Sequence, residues 1–170
     1  MKRPGRRRVL AATGAALAAG LAGCSGGDGG DGGDGTDGGD GGSSDIEIPA
    51  EAESRVEDYL TADPAADNYD GITAMGSGSV TVDVGARGNG GNFAYAPVAI
   101  VVESGTTVEW DWVAGNHNVL AAEGSDFDLD SGSARRDDSY EFTFDSAGVG
   151  TYYCTPHQSV GMKGAVVVVG

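Results

Sequence analysis

The sequence predicts an all-β fold, a two-sheet Greek-key β-sandwich formed by residues 80–170. Apolar and polar residues alternate with a period of two over residues 80–84 and 107–112, which is the pattern of half-buried strands. Clusters of Gly, Asn, Asp and Ser separate the apolar runs at the short intervals typical of antiparallel sandwiches. No helical pattern lies between the runs, which disfavours a parallel sheet built from strand-helix-strand units.

The predicted strands follow one another along the chain at residues 80–84, 99–102, 107–112, 140–144, 151–154 and 165–169. Consecutive valines at 166–169 indicate that the last strand is buried on both faces. Residues 85–92 are rich in Gly and Asn, but they lack the Gly-Lys-Ser/Thr ending of a phosphate-binding loop. We therefore expect a hairpin or a long turn there.

Residues 1–23 have the features of an export signal peptide. Arginines at 6–8 precede the apolar run 9–22, which is too short and too rich in Ala and Gly to span a bilayer as a stable helix. The arginines resemble the twin-arginine export motif, although they also fit an ordinary secretory leader. The run Leu-Ala-Gly-Cys that ends at Cys24 resembles a lipobox. We expect lipidation of Cys24, and the alternative is a free cysteine near a cleavage site.

Two further segments precede the sandwich. Residues 24–45 consist almost entirely of Gly, Asp and Ser after Cys24, so they have nothing to bury and predict a flexible tether. Residues 46–79 form an N-terminal extension with one short helix between Ile48 and Leu60, where apolar residues recur at spacings of three and four. Pro49 lies near its start, and Pro64 follows its end.

The charge of the chain excludes some classes of partner. All 26 acidic residues lie after residue 24, together with only five basic residues, of which Lys163 is the single lysine. Binding to nucleic acid or anionic lipid through charge is therefore not expected. An acidic, lysine-poor surface resembles proteins adapted to very high salt, where repulsion between carboxylates is screened. We expect a halophilic source.

One group of residues has the composition of a metal site. Cys154, His157 and Met162 follow one another as Cys-x2-His-x4-Met, and His117 comes shortly after a predicted strand. Two imidazoles, a thiolate and a weak thioether suit copper cycling between Cu(II) and Cu(I). Taken singly, the cysteine and methionine could fill the core and a histidine could lie on the surface. Zinc is the alternative metal, but it rarely accepts a thioether.

Cysteine usage points in the same direction. If Cys24 is lipidated, Cys154 is the one cysteine left in the folded part, so that part has no partner for an intramolecular disulfide. A lone thiol in an exported domain is a liability unless something occupies it. A bound metal would do so.

Residues 80–170 resemble a cupredoxin of the plastocyanin type, and the precursor is similar to the halocyanins, small blue-copper lipoproteins of halophilic archaea. The resemblance is carried by His117-Asn118, Cys154-Thr155-Pro156-His157 and residues 161–164, with residues 68–71 and 88–91 as halocyanin-like additions. It implies an eight-stranded sandwich with one copper ion near one end. His117, Cys154 and His157 would be equatorial ligands, Met162 the axial ligand, and Asn118 the residue whose side chain ties the ligand loops together.

The same resemblance implies a route for electrons. His157 would expose its ring edge in an apolar patch to which Pro156 and Val160 contribute. Tyr153 offers a second path, since on a strand its side chain lies on the face opposite Cys154. An ordinary strand aromatic is the alternative interpretation of Tyr153.

A competing metal signal lies between the ligand loops. Asp126, Asp128 and Asp130, with Asp137 at the twelfth position, have the outline of a calcium loop. Ser131 stands where an EF-hand requires Gly, and Phe127 and Leu129 alternate with the aspartates as in a strand. An acidic surface strand is therefore the favoured interpretation.

These features predict a mobile one-electron carrier rather than an enzyme. Four ligands fill the copper, and both histidines of the chain are used, so no imidazole remains for a second, catalytic copper. The alternatives are a copper delivery or storage protein and an electron-donor subunit of a copper oxidase or nitrite reductase. We expect a lipid-anchored monomer on the outer face of the cell membrane, with membrane-bound redox proteins as partners.

Overall fold

The computed structural model describes residues 46–76 and 78–170. The predicted signal peptide, the lipidation site at Cys24 and the Gly/Asp-rich tether lie outside the described residues. The elements are α1 (Ala50–Thr61), β1 (Thr73–Ala74), β2 (Val80–Gly88), β3 (Gly91–Ala96), β4 (Ala99–Glu103), β5 (Thr106–Trp112), β6 (Leu120–Ala121), β7 (Ser139–Phe144), β8 (Gly148–Tyr153), a 3-10 helix (Thr155–Val160) and β9 (Lys163–Val169).

The strands form two sheets that enclose an apolar core, which confirms the predicted all-β sandwich. One sheet has the order β1-β4-β9-β8-β6, and the other has the order β3-β2-β5-β7. Large buried side chains from both sheets meet between them, among them Trp110 from β5, Tyr152 from β8 and Val166 from β9. The core is the side-chain layer that separates the sheets.

The sheets are mixed rather than purely antiparallel. The pairs β1/β4, β2/β5 and β4/β9 run parallel, whereas β2/β3, β5/β7, β6/β8 and β8/β9 run antiparallel. The parallel pairs arise because the chain crosses to the other sheet between their members. From β2 it passes through β3 and then β4, which belongs to the other sheet, before it returns as β5.

The predicted hairpin in residues 85–92 is confirmed, and it is tighter than a long turn. Strand β2 extends to Gly88, which pairs with Gly91, so Asn89 and Gly90 form a two-residue turn. Their φ angles of 54° and 80° are the positive values that a type I′ turn requires, and Asn and Gly adopt them readily. Strand β3, which follows this turn, is not among the strands that the sequence predicts.

The predicted helix is confirmed, and it covers the outer face of the five-stranded sheet. Val56 and Leu60 of α1 are fully buried against Val101, Val149 and Val167. The neighbouring residues of β4 and β9 face the sandwich core instead. Strand β9 is therefore buried on both faces, as its valine run predicts. Within the described residues, no helix has the length and apolar character needed to cross a membrane.

The two ends of α1 are stabilised in different ways. Pro49 occupies the N-cap position, and Glu51 and Glu53 lie in the first turn, where carboxylates interact favourably with the helix dipole. The last turn has no basic residue of its own. Instead, Lys163 of β9 donates hydrogen bonds from Nζ to the backbone oxygens of Tyr59 and Ala62, at 2.7 and 2.8 Å. Burial lowers the pKa of this lysine.

The aspartates of the possible calcium loop are not gathered around a common point. Asp126 forms an ion pair with Arg55 of α1 at 2.7 Å and accepts the N–H of Val149. Asp130 accepts the N–H of Gly132. The segment is irregular, with one isolated bridge between Leu120 and Asp130, so it is not the predicted surface strand either. These carboxylates tie the loop to its neighbours.

Replacing Lys163 with Met should lower the free energy of unfolding by about 1–2 kcal/mol, because the helix loses a partly buried cation at its C-terminal end. The measurement is urea unfolding followed by circular dichroism. Arg87→Met removes the same charge from an exposed position of β2 and is the matched control. Equal losses in the two variants would contradict the capping role of Lys163.

Candidate metal centre

His117 lies in the loop after β5 and is fully buried. Its backbone is fixed by paired hydrogen bonds with Arg135, at 3.0 and 2.9 Å, and its carbonyl also accepts the indole N–H of Trp112. Two glycines make room for the ring and its loop. A Cβ on Gly115, whose φ is +82°, would lie 2.2 Å from Nε2 of His117, and one on Gly85 would lie 2.0 Å from the oxygen of Ala114. No motif of the sequence marks these glycines as part of the site.

Cys154, His157 and Met162 lie on the loop that joins β8 to β9. The 3-10 helix begins directly after Cys154 and ends at Gly161, whose φ is +87°. Backbone hydrogen bonds close the loop: Cys154 N–H donates to Met162, His157 N–H to Cys154, and Met162 N–H to His157, at 3.0 to 3.2 Å. The Cys-x2-His-x4-Met spacing thus brings the three backbones together.

The donor atoms of His117, Cys154 and His157 converge on one point. Nδ1 of His117 lies 3.0 Å from Nδ1 of His157, and Sγ of Cys154 lies 3.6 and 3.4 Å from these two nitrogens. Donors bound to one ion at bond lengths of about 2.0–2.3 Å lie roughly 3–4 Å apart. Within the part of the chain that the structure describes, this is the one group of three His, Cys, Asp or Glu side chains close enough to hold a metal ion.

The protonation states of these groups suit metal binding. Burial, the neighbouring His157 and the charge of Arg136 lower the pKa of His117 to about 4, so its ring is neutral at pH 7. Burial also lowers the pKa of His157. Burial raises the pKa of the Cys154 thiol, although the backbone N–H groups of Asn118 and His157 act in the opposite direction. Two neutral imidazoles and a thiol that can ionise on metal binding fit copper.

Met162 is buried beside this group. It is 0% exposed and belongs to the same core cluster as Cys154. Its backbone N–H donates to the carbonyl of His157 and its carbonyl accepts the N–H of Cys154, so its backbone lies next to both residues. The sequence predicts the thioether of Met162 as a weak fourth donor beside those of His117, Cys154 and His157.

The side chain of Asn118 joins the two loops. Its Oδ1 accepts the N–H of Thr155 at 2.9 Å, while its Nδ2 donates to the carbonyl of Gly132 at 2.9 Å and to the Thr155 hydroxyl at 3.2 Å. Asn118 is nearly fully buried, so these bonds are shielded from water. The contact predicted from the family resemblance is present.

Of the three converging donors, His157 is partly exposed, whereas His117 and Cys154 are buried. Phe93 of β3 stacks on its ring, with centroids 4.5 Å apart and planes 26° apart. A cavity of about 300 Å³ lies over the two histidines and is lined also by Phe93 and Arg136. Phe93 is a site residue that sequence reasoning misses, because it follows a Gly- and Asn-rich stretch with the composition of a turn.

The residues predicted for electron transfer differ in their exposure to solvent. Pro156 and Val160 are exposed on the 3-10 helix beside His157, where the family resemblance implies an apolar surface patch. Val160 and Val113 are the large apolar residues most exposed among those described, at 41% and 51%. Tyr153 is half-buried on β8, where it pairs with Leu120 of β6.

Comparison with known proteins agrees with this geometry. Residues 80–169 match the sequence model of the copper-binding proteins of the plastocyanin/azurin family. Halocyanin from Natronomonas pharaonis is 44% identical over 125 residues, which cover 71% of this chain and 75% of that protein. Plastocyanin from Scenedesmus fuscus is 35% identical over 101 residues, which cover 52% of this chain and 98% of that protein.

Among solved structures, plastocyanin from Dryopteris crassirhizoma is 29% identical and covers 53% of this chain and 100% of its own, with a TM-score of 0.45. The family match and the halocyanin match confirm the resemblance drawn from residues 117–118 and 154–164. The donor set agrees with one copper ion per chain. The chain belongs to the plastocyanin/azurin family of copper-binding proteins, and it is a halocyanin-like cupredoxin.

Proposed function

We propose that the protein is a mobile one-electron carrier with a single type 1 copper held by His117, Cys154, His157 and Met162. The observation that carries this proposal is the convergence of two imidazole nitrogens and one sulfur, 3.0 to 3.6 Å from one another. Copper bound by such donors exchanges one electron between Cu(II) and Cu(I). The chain supplies the donors and restricts their motion.

The surroundings of the donors favour fast transfer. His117, Cys154 and Met162 are fully buried, and the Asn118 side chain and the backbone bonds of the ligand loop fix the spacing between the two loops. Because packed and hydrogen-bonded donors move little, the site needs little rearrangement when its charge changes.

The exposed surface supports one entry point for electrons. The ring of His157 reaches the surface next to Pro156, Val160 and Phe93. An apolar surface of this kind suits brief docking with a redox partner, since it is readily desolvated and carries no specific ion pairs. Tyr153, half-buried on β8, is proposed as a second path.

The N-terminal residues support a location for this carrier. The arginines and apolar run of residues 1–23 and the lipobox-like residues before Cys24 favour export and lipid attachment on the outer face of the cell membrane. The Gly/Asp-rich tether would then let a monomeric domain reach membrane-bound redox partners. The net charge of −16 favours solubility in the high salt of a halophile.

Two other functional classes fit the site less well. A second, catalytic copper would need further imidazoles, and both histidines of the chain already lie in the donor cluster. Copper delivery would need ligands that exchange readily, whereas Cys154 and Met162 are 0% exposed.

Cys154→Ser should abolish the intense visible band that Cu(II) produces in the purified domain, because that band is a charge transfer from thiolate to copper. Ser159→Ala, at an exposed position of the same loop, should keep it. Absorption titration with Cu(II) is the measurement. A colourless wild-type protein that prefers Zn(II) would contradict the proposal.

Met162→Leu should leave the protein blue and raise its reduction potential, because a weak donor that stabilises Cu(II) is lost. Cyclic voltammetry measures the shift. Met75→Leu is the matched control, since Met75 packs against the core outside the ligand loop and should keep the wild-type potential. An unchanged potential in Met162→Leu would exclude Met162 as a ligand.

The copper-free protein should lose stability as the pH falls from about 6.5 to about 4. In this range the unfolded chain protonates His117, whose ordinary pKa is 6.5, while the folded chain does not, since its pKa is about 4. The free energy of unfolding therefore decreases through this range because of this residue. Urea unfolding across this range should show a smaller decrease in His117→Gln, and equal decreases would refute the assignment.

A further inference from the structure

Two motifs of the sequence, residues 68–71 and 88–91, provide no metal donor, yet the structure brings them together beside the metal centre. The first begins at Asn68, the last residue of the segment 65–68, which lies between α1 and the sandwich. The second contains the β2–β3 turn at Asn89 and Gly90. A Cβ on Gly88 would lie 3.5 Å from Cβ of Asn68, and Asn89 exchanges hydrogen bonds with Asp67, the residue directly before the first motif.

Asn89 uses both ends of its side chain. Its Oδ1 accepts the N–H of Asp67 at 2.9 Å, and its own N–H donates to Oδ1 of Asp67 at 2.6 Å. Its Nδ2 donates to the carbonyl of Phe93 at 2.7 Å and to the carbonyl of Gly161 at 3.1 Å. One amide thus connects the segment 65–68, strand β3 and the ligand loop.

Both carbonyls that Nδ2 holds are next to the metal centre. Gly161 ends the 3-10 helix that carries His157 and directly precedes Met162. Phe93 stacks on the ring of His157. Asn89 therefore acts on the ligand loop from two sides, through the backbone before Met162 and through the ring that lies on His157.

The fit around Gly161 is tight. A Cβ at this position would lie 2.1 Å from the backbone oxygen of Ala65 and 3.3 Å from Oδ1 of Asn89. Asn68 holds the other side of the segment, because its Nδ2 donates to the carbonyl of Tyr95 in β3 at 2.9 Å. The ligand loop thus lies against a segment that is itself fixed, and it has little room to shift while these bonds remain.

We infer that Asn89 is a positioning residue of the copper site, which holds Gly161 and Phe93 so that Met162 and His157 keep their places around the ion. This inference rests on the proposed copper role of the donor cluster. It assigns a function to the residues 88–91 motif beyond turn formation. Without the Asn89 amide, the turn would remain, but the carbonyl of Gly161 in the ligand loop would lose its hydrogen bond to Nδ2.

Asn89→Gly is the test variant, because glycine adopts the φ of +54° found here and removes only the side chain. We expect a shifted reduction potential and altered relative intensities of the visible thiolate-to-copper bands. Asn89→Asp, which keeps the side-chain shape but replaces the donor by a carboxylate oxygen facing two carbonyls, should shift both further. Asp67→Ala is the control, since it removes the bond to the Asn89 backbone and leaves Nδ2 in place.

The copper-free protein gives a second readout. The amide of Met162, which donates to His157, should lose about fivefold of its hydrogen-exchange protection in Asn89→Gly, the loss expected for one hydrogen bond. The ring-current shift that Phe93 imposes on His157 should change as well. Asp67→Ala should lower the unfolding midpoint but leave both signals in place.

Two results would overturn the positioning role: wild-type potential, spectrum and Met162 protection in Asn89→Gly, or equal changes in Asp67→Ala. A wild-type protein that forms no blue copper complex would overturn the proposed function instead. The exchange measurement on the copper-free chain still decides the role of Asn89 in that case.

Discussion

The hydrogen bonds of the Asn118 side chain are the interaction on which the metal centre most depends. Two of them join Asn118 to Thr155, 37 positions away in sequence, and both residues lie next to a donor, with His117 before Asn118 and Cys154 before Thr155. An amide offers a donor and an acceptor at fixed spacing, so it accepts the second loop in one relative position. These bonds therefore help to hold the imidazole and the thiol close to each other.

The N-terminal extension contributes to both the core and the site. Helix α1 covers the outer face of the five-stranded sheet, and Lys163, which closes the end of this helix, directly follows Met162. Further along, Asp67 meets Asn89 beside Gly161. The extension thus meets the first residue of β9 and, through Asn89, the end of the ligand loop at Gly161. The packing of the helix and the positions of the donor residues are consequently linked through these contacts.

The sequence identifies the donors better than their surroundings. Cys154, His157 and Met162 are close in sequence, so their spacing alone indicates ligand chemistry, and His117 follows because the chain has two histidines. The sequence does not reveal Phe93 as a site residue, because β3 begins inside a stretch with the composition of a turn. Strand pairing stays hidden too, since a period of two shows which face is buried but not which strand lies alongside. The capping by Lys163 joins distant segments and leaves no local pattern.

The place of β9 in the sheet has a consequence for how the protein is made. It is the central strand, between β4 and β8, yet it follows every other described element along the chain. During synthesis, the middle of this sheet is filled last. Until then, β4 and β8 lack their shared partner strand and the helix lacks the part of its surface that β9 supplies, which exposes apolar strands to association with other chains. The five-stranded sheet can therefore be completed only after the valine run of β9 has been made.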